Sequence, residues 1–413
     1  MLAECDRITH AACWPDKPMR DQAADFETNH SNKDSSFTAD DGVNIWSALP
    51  EDLMDRIFSY LPLTSILRLR CVCRRWNFLV QSKRFQTALS RVCTPKPWFM
   101  LCTIGRASCS YDPSMNKWHT IIRPANNSIK LQSGPVRISP CTSILAVSGS
   151  LLCLGNQVAE CRVLSICNPI TKTLRHLPRM LQVSLIHKVS MIVDSSNNCY
   201  KIMVSGENGL PTMIPYTYEL LTEVFDSSKN SWKMCGKPLA EAKFGSDPGV
   251  WCNNLFYCIT ELPYGAVVFD LVTETWSELT VQMPSSLASP SLVESCGRLL
   301  MIGRVMERDE TEDSARKIII WELDLGRKEW VEIRTAPIEI CRVFSAPLAF
   351  YAPFVCSGLG NQIYITTHRN PHVLVHDLCR NTWQWLPSDP FFPRRRDFHL
   401  VGFPFEPRLD ASP

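Results

Sequence analysis

Apolar residues follow two different rhythms along this chain, and the change comes near residue 97. From Leu49 to Phe85 the spacing is helical. Leu53, Ile57 and Leu61 recur at every fourth position, which puts them on one face of a helix. Pro50-Glu51-Asp52 suits its first turn: proline costs no hydrogen bond there, and acids meet the positive end of the helix dipole. Pro62 stops it. Thr64 or Ser65 can cap a second helix carrying Ile66, Leu67, Leu69, Val72 and Cys73. A third short helix carries Trp76, Leu79 and Val80. Three short helices bury little surface, so this unit needs a partner or a neighbour for full stability.

From Pro97 onward the runs become short, β-branched and aromatic, divided by Gly, Pro, Asn and Asp. Trp98-Phe99-Met100-Leu101, Ala266-Val267-Val268-Phe269 and Lys317-Ile318-Ile319-Ile320-Trp321 are examples. This is all-β texture. One phrase recurs through it, an apolar residue, then Asp, then Trp six positions after the Asp. The copies are Tyr111-Asp112 with Trp118, Phe225-Asp226 with Trp232, Phe269-Asp270 with Trp276, Leu323-Asp324 with Trp330, and His376-Asp377 with Trp383. A degraded sixth copy is Cys167-Asn168 with Leu174. Each reads as a β-hairpin: the Asp or Asn side chain bonds the backbone two residues on and starts the turn, and the large apolar residue opens the return strand.

Successive acid or amide positions lie 56, 58, 44, 54 and 53 residues apart. Propeller blades of the kelch type repeat at roughly 50 residues. Six copies therefore predict six four-stranded blades around a channel. A β-sandwich built from the same hairpins is the alternative, disfavoured by so even a period. The strand-like tail Phe398-His399-Leu400-Val401-Gly402-Phe403 is expected to pair into the first blade and close the ring, hiding sheet edges.

Trp46-Ser47-Ala48-Leu49-Pro50-Glu51-Asp52-Leu53 through Leu61-Pro62, followed by Leu69-Arg70-Cys71-Val72-Cys73-Arg74-Arg75-Trp76, resembles an F-box. Together with the downstream repeats the chain resembles plant F-box/kelch-repeat proteins from residue 46 to 410. The resemblance implies a small all-α F-box at 44–90 and an all-β propeller of kelch-like blades at 91–410. It also implies a non-catalytic role in an SCF-type ubiquitin ligase. The F-box would dock on a Skp-type adaptor and through it a cullin, and the propeller would hold a protein substrate. Carried over by motif position, the docking residues are Leu49, Pro50, Leu53, Ile57, Leu61, Leu69, Val72 and Trp76, some of which belong to the F-box's own core. The chain departs from true kelch repeats in lacking a Gly-Gly doublet, with 17 glycines in all.

Composition narrows the partners. With 43 basic and 41 acidic residues and a net charge of +2, the chain lacks the basic excess of nucleic-acid or anionic-membrane binding. No apolar run reaches the roughly 18 residues of a membrane helix, and no signal peptide is legible, so nucleus or cytoplasm is expected. Residues 1–43 are polar and aperiodic and read as a disordered tail. The 19 cysteines include no Cys-x-x-Cys pair and read as small buried hydrophobes.

His368, His372 and His376 are spaced by four, as metal ligands on a helix would be. Pro371 and Val373-Leu374-Val375 make the stretch loop and strand instead, and no metal or cofactor is expected. Arg394-Arg395-Arg396 reads as a solvated loop or as a contact for an acidic substrate. Residues 307–313 read as an exposed acidic loop. Substrate contacts are expected in the stretches 178–197, 205–222, 280–294, 303–316 and 386–397. Two other functions stand beside the adaptor reading: a propeller enzyme or ligand-binding protein, and an F-box scaffold with no ubiquitination role.

Overall fold

The computed structural model describes residues 45–92 and most of 96–413, leaving out 104–107, 123–127, 132–133, 138–142, 156–160, 195, 209–219, 239–242, 246, 262, 306–316, 345–352, 368–371 and 390–399. The tail 1–43, the acidic stretch 307–313, His368 and Arg394 to Arg396 thus lie outside the described residues. The chain divides at Pro50 into two units, and α1 (Ile45–Ala48) belongs to the first.

The second unit opens with helices. α2 (Glu51–Ser59), α3 (Leu63–Leu69) and α4 (Arg74–Gln81) are the three helices the apolar spacing predicts, and a fourth, α5 (Lys83–Val92), follows them. Glu51 and Asp52 do occupy the first turn of α2. Pro62, rather than Thr64 or Ser65, stands at the N-cap of α3, with no side-chain cap bond. Cys73 caps α4, its Sγ accepting from the Trp76 N–H at 3.5 Å.

Six four-stranded antiparallel sheets follow. Blade 2 comprises Ser143–Ser148, Leu151–Gly155, Ser165–Asn168 and Thr173–His176. Blade 3 comprises Leu185–Asp194, Cys199–Glu207, Leu220–Asp226 and Ser231–Met234. Blade 4 comprises Val250–Cys252, Leu255–Thr260, Gly265–Asp270 and Thr275–Glu278. Blade 5 comprises Leu287–Ser295, Arg298–Val305, Lys317–Asp324 and Glu329–Thr335. Blade 6 comprises Phe354–Leu359, Gln362–Thr367, Leu374–Asp377 and Thr382–Trp385. A short helix, α6 (Ile338–Phe344), lies between blades 5 and 6. Blade 1 takes its innermost strand from the far end of the chain: Leu400–Phe405 pairs with Trp98–Thr103, Trp98 opposite Phe405, ahead of Ser108–Asp112 and Lys117–Ile122.

All six repeated phrases form the hairpins they predict, each between the third and fourth strands. The acid or amide Oδ1 accepts from the N–H two residues on, at 2.8 Å (Asp112), 3.0 Å (Asn168), 2.9 Å (Asp226), 2.7 Å (Asp270), 2.8 Å (Asp324) and 3.0 Å (Asp377). The last residue of every turn is left-handed: Asn116, Lys172, Asn230, Glu274, Lys328 and Asn381 have φ between 49° and 60°. Asparagine tolerates that region best among residues with a side chain. The apolar residue before the turn then faces the tryptophan after it. Tyr111–Trp118, Phe225–Trp232 and Phe269–Trp276 ring centroids are 5.4, 5.2 and 5.2 Å apart.

Three of these tryptophans also fasten neighbouring blades. The indole N–H of Trp118 donates to the Pro387 carbonyl at 2.8 Å, that of Trp232 to Pro178 at 2.9 Å, and that of Trp276 to the Thr222 hydroxyl at 2.9 Å. Each bond reaches from a fourth strand to the preceding blade or to the connection just after it. The apolar clusters likewise straddle adjacent blades. One joins Phe99, Leu101, Cys109 and Tyr111 of blade 1 to Val355, Tyr364 and Val375 of blade 6, and another joins Met203 and Val224 of blade 3 to Phe256, Phe269 and Trp276 of blade 4.

Where innermost strands crowd the axis, a glycine is obligatory. A Cβ on Gly358 of blade 6 would lie 1.7 Å from the Glu294 carbonyl oxygen of blade 5.

Candidate functional site

The F-box helices sort their apolar side chains into two sets. Met54 and Phe58 of α2, Ile66 of α3, Leu79 and Val80 of α4 and Phe85 of α5 are buried. Phe58 meets Trp76 edge-on at 4.9 Å. Arg84 ties α5 to α2 by donating to Asp55 at 2.6 Å and Glu51 at 2.9 Å. Burial raises the Asp55 carboxyl above the usual range, with Arg84 opposing it.

The other set points outward. Leu53 is 43% exposed, Ile57 42%, Val72 60% and Phe78 73%. Leu53 and Ile57 are four apart on the face of α2 away from Met54 and Phe58. Apolar side chains displayed at this density mark an interaction surface. Of the eight docking residues carried over by motif, Leu53, Ile57, Val72 and Pro50 are exposed, and Leu49, Leu61, Leu69 and Trp76 are half-buried. Phe78 and Tyr60, exposed at 69%, were not among them. The available signal was an apolar residue beside the core positions of an already amphipathic helix.

The propeller has two faces of different character. The turns joining first to second and third to fourth strands are tight and lie on one face, because neighbouring strands are antiparallel. The connections from second to third strand and from blade to blade, several of them longer, leave from the opposite face. The F-box enters on the tight-turn face: Trp98 begins its strand there, paired to the end of the closing strand, and the Thr64 hydroxyl lies 3.5 Å from Met115 Sδ in the first blade's turn. The strand ends from which the long connections leave therefore lie on the side away from the helices. Four of the stretches expected to be loops are partly strand: 185–194 and 287–294 over most of their length, and 205–207, 220–222 and 303–305 at the ends of the others.

The C-terminal residues are fixed on the tight-turn face by Asn168. This side chain is fully buried; its Nδ2 donates to the carbonyls of Arg408 at 3.0 Å and Ala411 at 2.9 Å while its Oδ1 caps its own turn. The residue that degrades the repeat is thus a clasp, and an acid could not serve, having no donor when ionised. Glu406 N–H adds a bond to Gly149 O at 2.8 Å.

Three buried charged side chains make structural contacts inside the propeller. The buried Lys188 of blade 3 donates to the carbonyls of Gly245, at 2.7 Å, and Asp247. The Asp247 carboxylate accepts from Gly249 and Leu292 at 3.1 Å each and is pushed up by burial, with Lys188 opposing. Buried Glu223 holds three successive N–H groups, of Leu181, Gln182 and Val183, at 2.6–2.7 Å. These contacts bind the blades to the connecting chain between them. His376 is buried and stacks on Trp383 at 4.0 Å, taking the aromatic's place in its repeat; burial lowers its pKa. His372 packs edge-on to Trp385 instead. Among the described residues no group of three His, Cys, Asp or Glu could hold a metal ion, and no helix is long and apolar enough to cross a membrane.

A small helical docking module carrying a closed six-bladed propeller defines a class of modular F-box protein. Residues 46–87 match the F-box domain and residues 111–377 the KIB1-4 beta-propeller. The chain belongs to the KIB1-4 beta-propeller family, joined to an F-box. Kelch is thus an approximate name for its repeats. An F-box/kelch-repeat protein of Arabidopsis thaliana is 26% identical, over 89% of this chain and 90% of its own length. F-box only protein 6 of the same plant is 29% identical over 83% and 70%. SKP1-interacting partner 15, also from Arabidopsis, is 22% identical over 89% and 98%.

Proposed function

We propose that this protein is the substrate-receptor subunit of an SCF-type ubiquitin ligase. The F-box docks on a Skp-type adaptor, which links it to a cullin, and the propeller holds a target protein for ubiquitination and degradation. The observation that carries this reading is the outward apolar set Leu53, Ile57, Val72 and Phe78 on a module matched as an F-box. A relative named for its interaction with SKP1 supports it. The placement of the faces fits: a target on the long connections sits away from the helices, so docking at one end leaves the other open. The protein then works by proximity, raising the local concentration of acceptor lysines rather than performing chemistry. The nucleus or cytoplasm is the expected setting.

The test is a pull-down of the full chain with purified Skp-type adaptor, comparing wild type with Leu53→Asp and Ile57→Asp. Both positions are exposed, so the fold is retained, and truncating a buried interface anchor costs roughly 2 kcal/mol or more. Wild type should be captured and both variants lost. Equal capture of all three, or none of folded wild type, would refute the assignment.

A further inference from the structure

The end of α2, α3 and α5 face the first blade and the C-terminal tail across a cleft of about 350 Å³. Its body is apolar, formed by Leu61, Leu63, Ile66 and Leu89 on the helical side and by Trp98 and Leu409 on the other. A volume of this size lies within the range of about 300–1,000 Å³ of small-molecule sites. It is too small for a peptide helix, since even one turn is about 10 Å across and 5 Å long.

Charge decides what kind of molecule fits. Four charged side chains line the cleft: Lys96, Asp112, Arg408 and Asp410. Arg408 and Asp410 neutralise each other through two bonds, at 2.9 and 2.6 Å. Asp112 is buried; its Oδ1 accepts from the N–H and hydroxyl of Ser114, and its Oδ2 lies 4.0 Å from His119 Nε2, so its carboxylate is turned to its own blade. Lys96 is exposed and has no acidic partner among the described residues. Among the described residues the cleft thus offers a guest an apolar body and one exposed cation, Lys96, at its edge.

We propose that this cleft binds a small organic anion, its apolar body against Trp98, Leu63 and Leu89 and its single acidic head at Lys96. Such a ligand touches both modules at once, so its occupancy reports on, and stiffens, the joint between F-box and propeller. The proposal does not depend on adaptor docking.

The experiment uses the full chain and two fluorescent probes with the same rings, anionic 1-anilinonaphthalene-8-sulfonate and neutral N-phenyl-1-naphthylamine. Near-UV dichroism and melting temperature establish that each variant is folded; Lys96 and Ser90 are both exposed. The anionic probe should saturate one site and bind about tenfold tighter than the neutral one, a difference of one ion pair. Lys96→Glu should abolish that preference, and Ser90→Trp, which fills the cleft from α5, should weaken both probes about tenfold. Equal binding of the two probes to wild type, binding indifferent to Ser90→Trp, or no saturable binding would each overturn the proposal.

Discussion

Asn168→Asp is nearly isosteric, yet it should unfasten the C-terminus. The wild-type side chain makes one bond within its turn and two to the tail, at 3.0 and 2.9 Å. The turn survives the change, because an acid accepts from Ile170 N–H just as the amide oxygen does. The two donations are lost, each worth about 0.5–1.5 kcal/mol net. In their place a carboxylate oxygen faces two carbonyl oxygens at hydrogen-bond distance with no access to water. The tail can escape by detaching, so the loss is capped by the docking energy of residues 406–413. We expect about 2–4 kcal/mol, the two bonds plus part of a buried-charge penalty.

The pH dependence distinguishes this account from loose packing. The introduced carboxyl is buried among acceptors, so its folded pKa is raised. Stability of the variant is then highest when the group is protonated and falls as pH rises from the ordinary carboxylate range through the raised value. The assay pairs thermal melting with carboxypeptidase digestion at pH 5 and pH 8. A melting temperature lowered by several degrees and faster trimming at the higher pH are expected. Wild-type trimming at both would refute the clasp.

Gly358→Ala should destabilise the ring by several kcal/mol, since its Cβ would lie 1.7 Å from a backbone oxygen that cannot move alone; a melting curve near wild type would count against the tight axis. Trp276→Phe should cost about 1–3 kcal/mol by removing the indole donor to the buried Thr222 hydroxyl, which keeps only its 3.5 Å bond to Ser205, and by shrinking the ring, measured by denaturant melting, with the exposed Val272→Thr as a neutral control. Among the described cysteines, thiol alkylation under native conditions should mark the exposed Cys71, Cys73, Cys296 and Cys379 first. Burial pushes the thiols of Cys167 and Cys356 up to about 12, so both should react only after unfolding, as peptide mapping would read.

The parts of this fold that were legible in sequence rest on local physics. An Asp bonding two residues ahead and a Trp six residues on are settled within one hairpin, so all six turns could be read from their spacing. Residues 83–92 carry Phe85, Ala88, Leu89 and Val92 at helical spacing, but a helix so close to the β texture went unread, as did Ile338–Phe344. Periodicity gave α2 a stripe of Leu53, Ile57 and Leu61 without saying whether it faced in or out. The core took Met54 and Phe58 instead, because packing against α5 decides the sign. Asn168 looked like decay because its partners lie 240 and 243 residues away, beyond any local pattern. The stretches 185–194 and 287–294 passed for loops because serines, prolines and charged residues interrupt their apolar runs.

The closing strand has a consequence for how the protein is made. Trp98–Thr103 waits for Leu400–Phe405, roughly 300 residues later, which at about 5–20 residues per second is some 15–60 seconds of synthesis. Throughout that interval the nascent chain presents the first blade's unpaired edge, a template for wrong pairing, while the helical module is already complete. A chain stopped short of residue 400 would keep its F-box and never close its ring. Premature stop codons should therefore yield competitors for docking rather than simple losses.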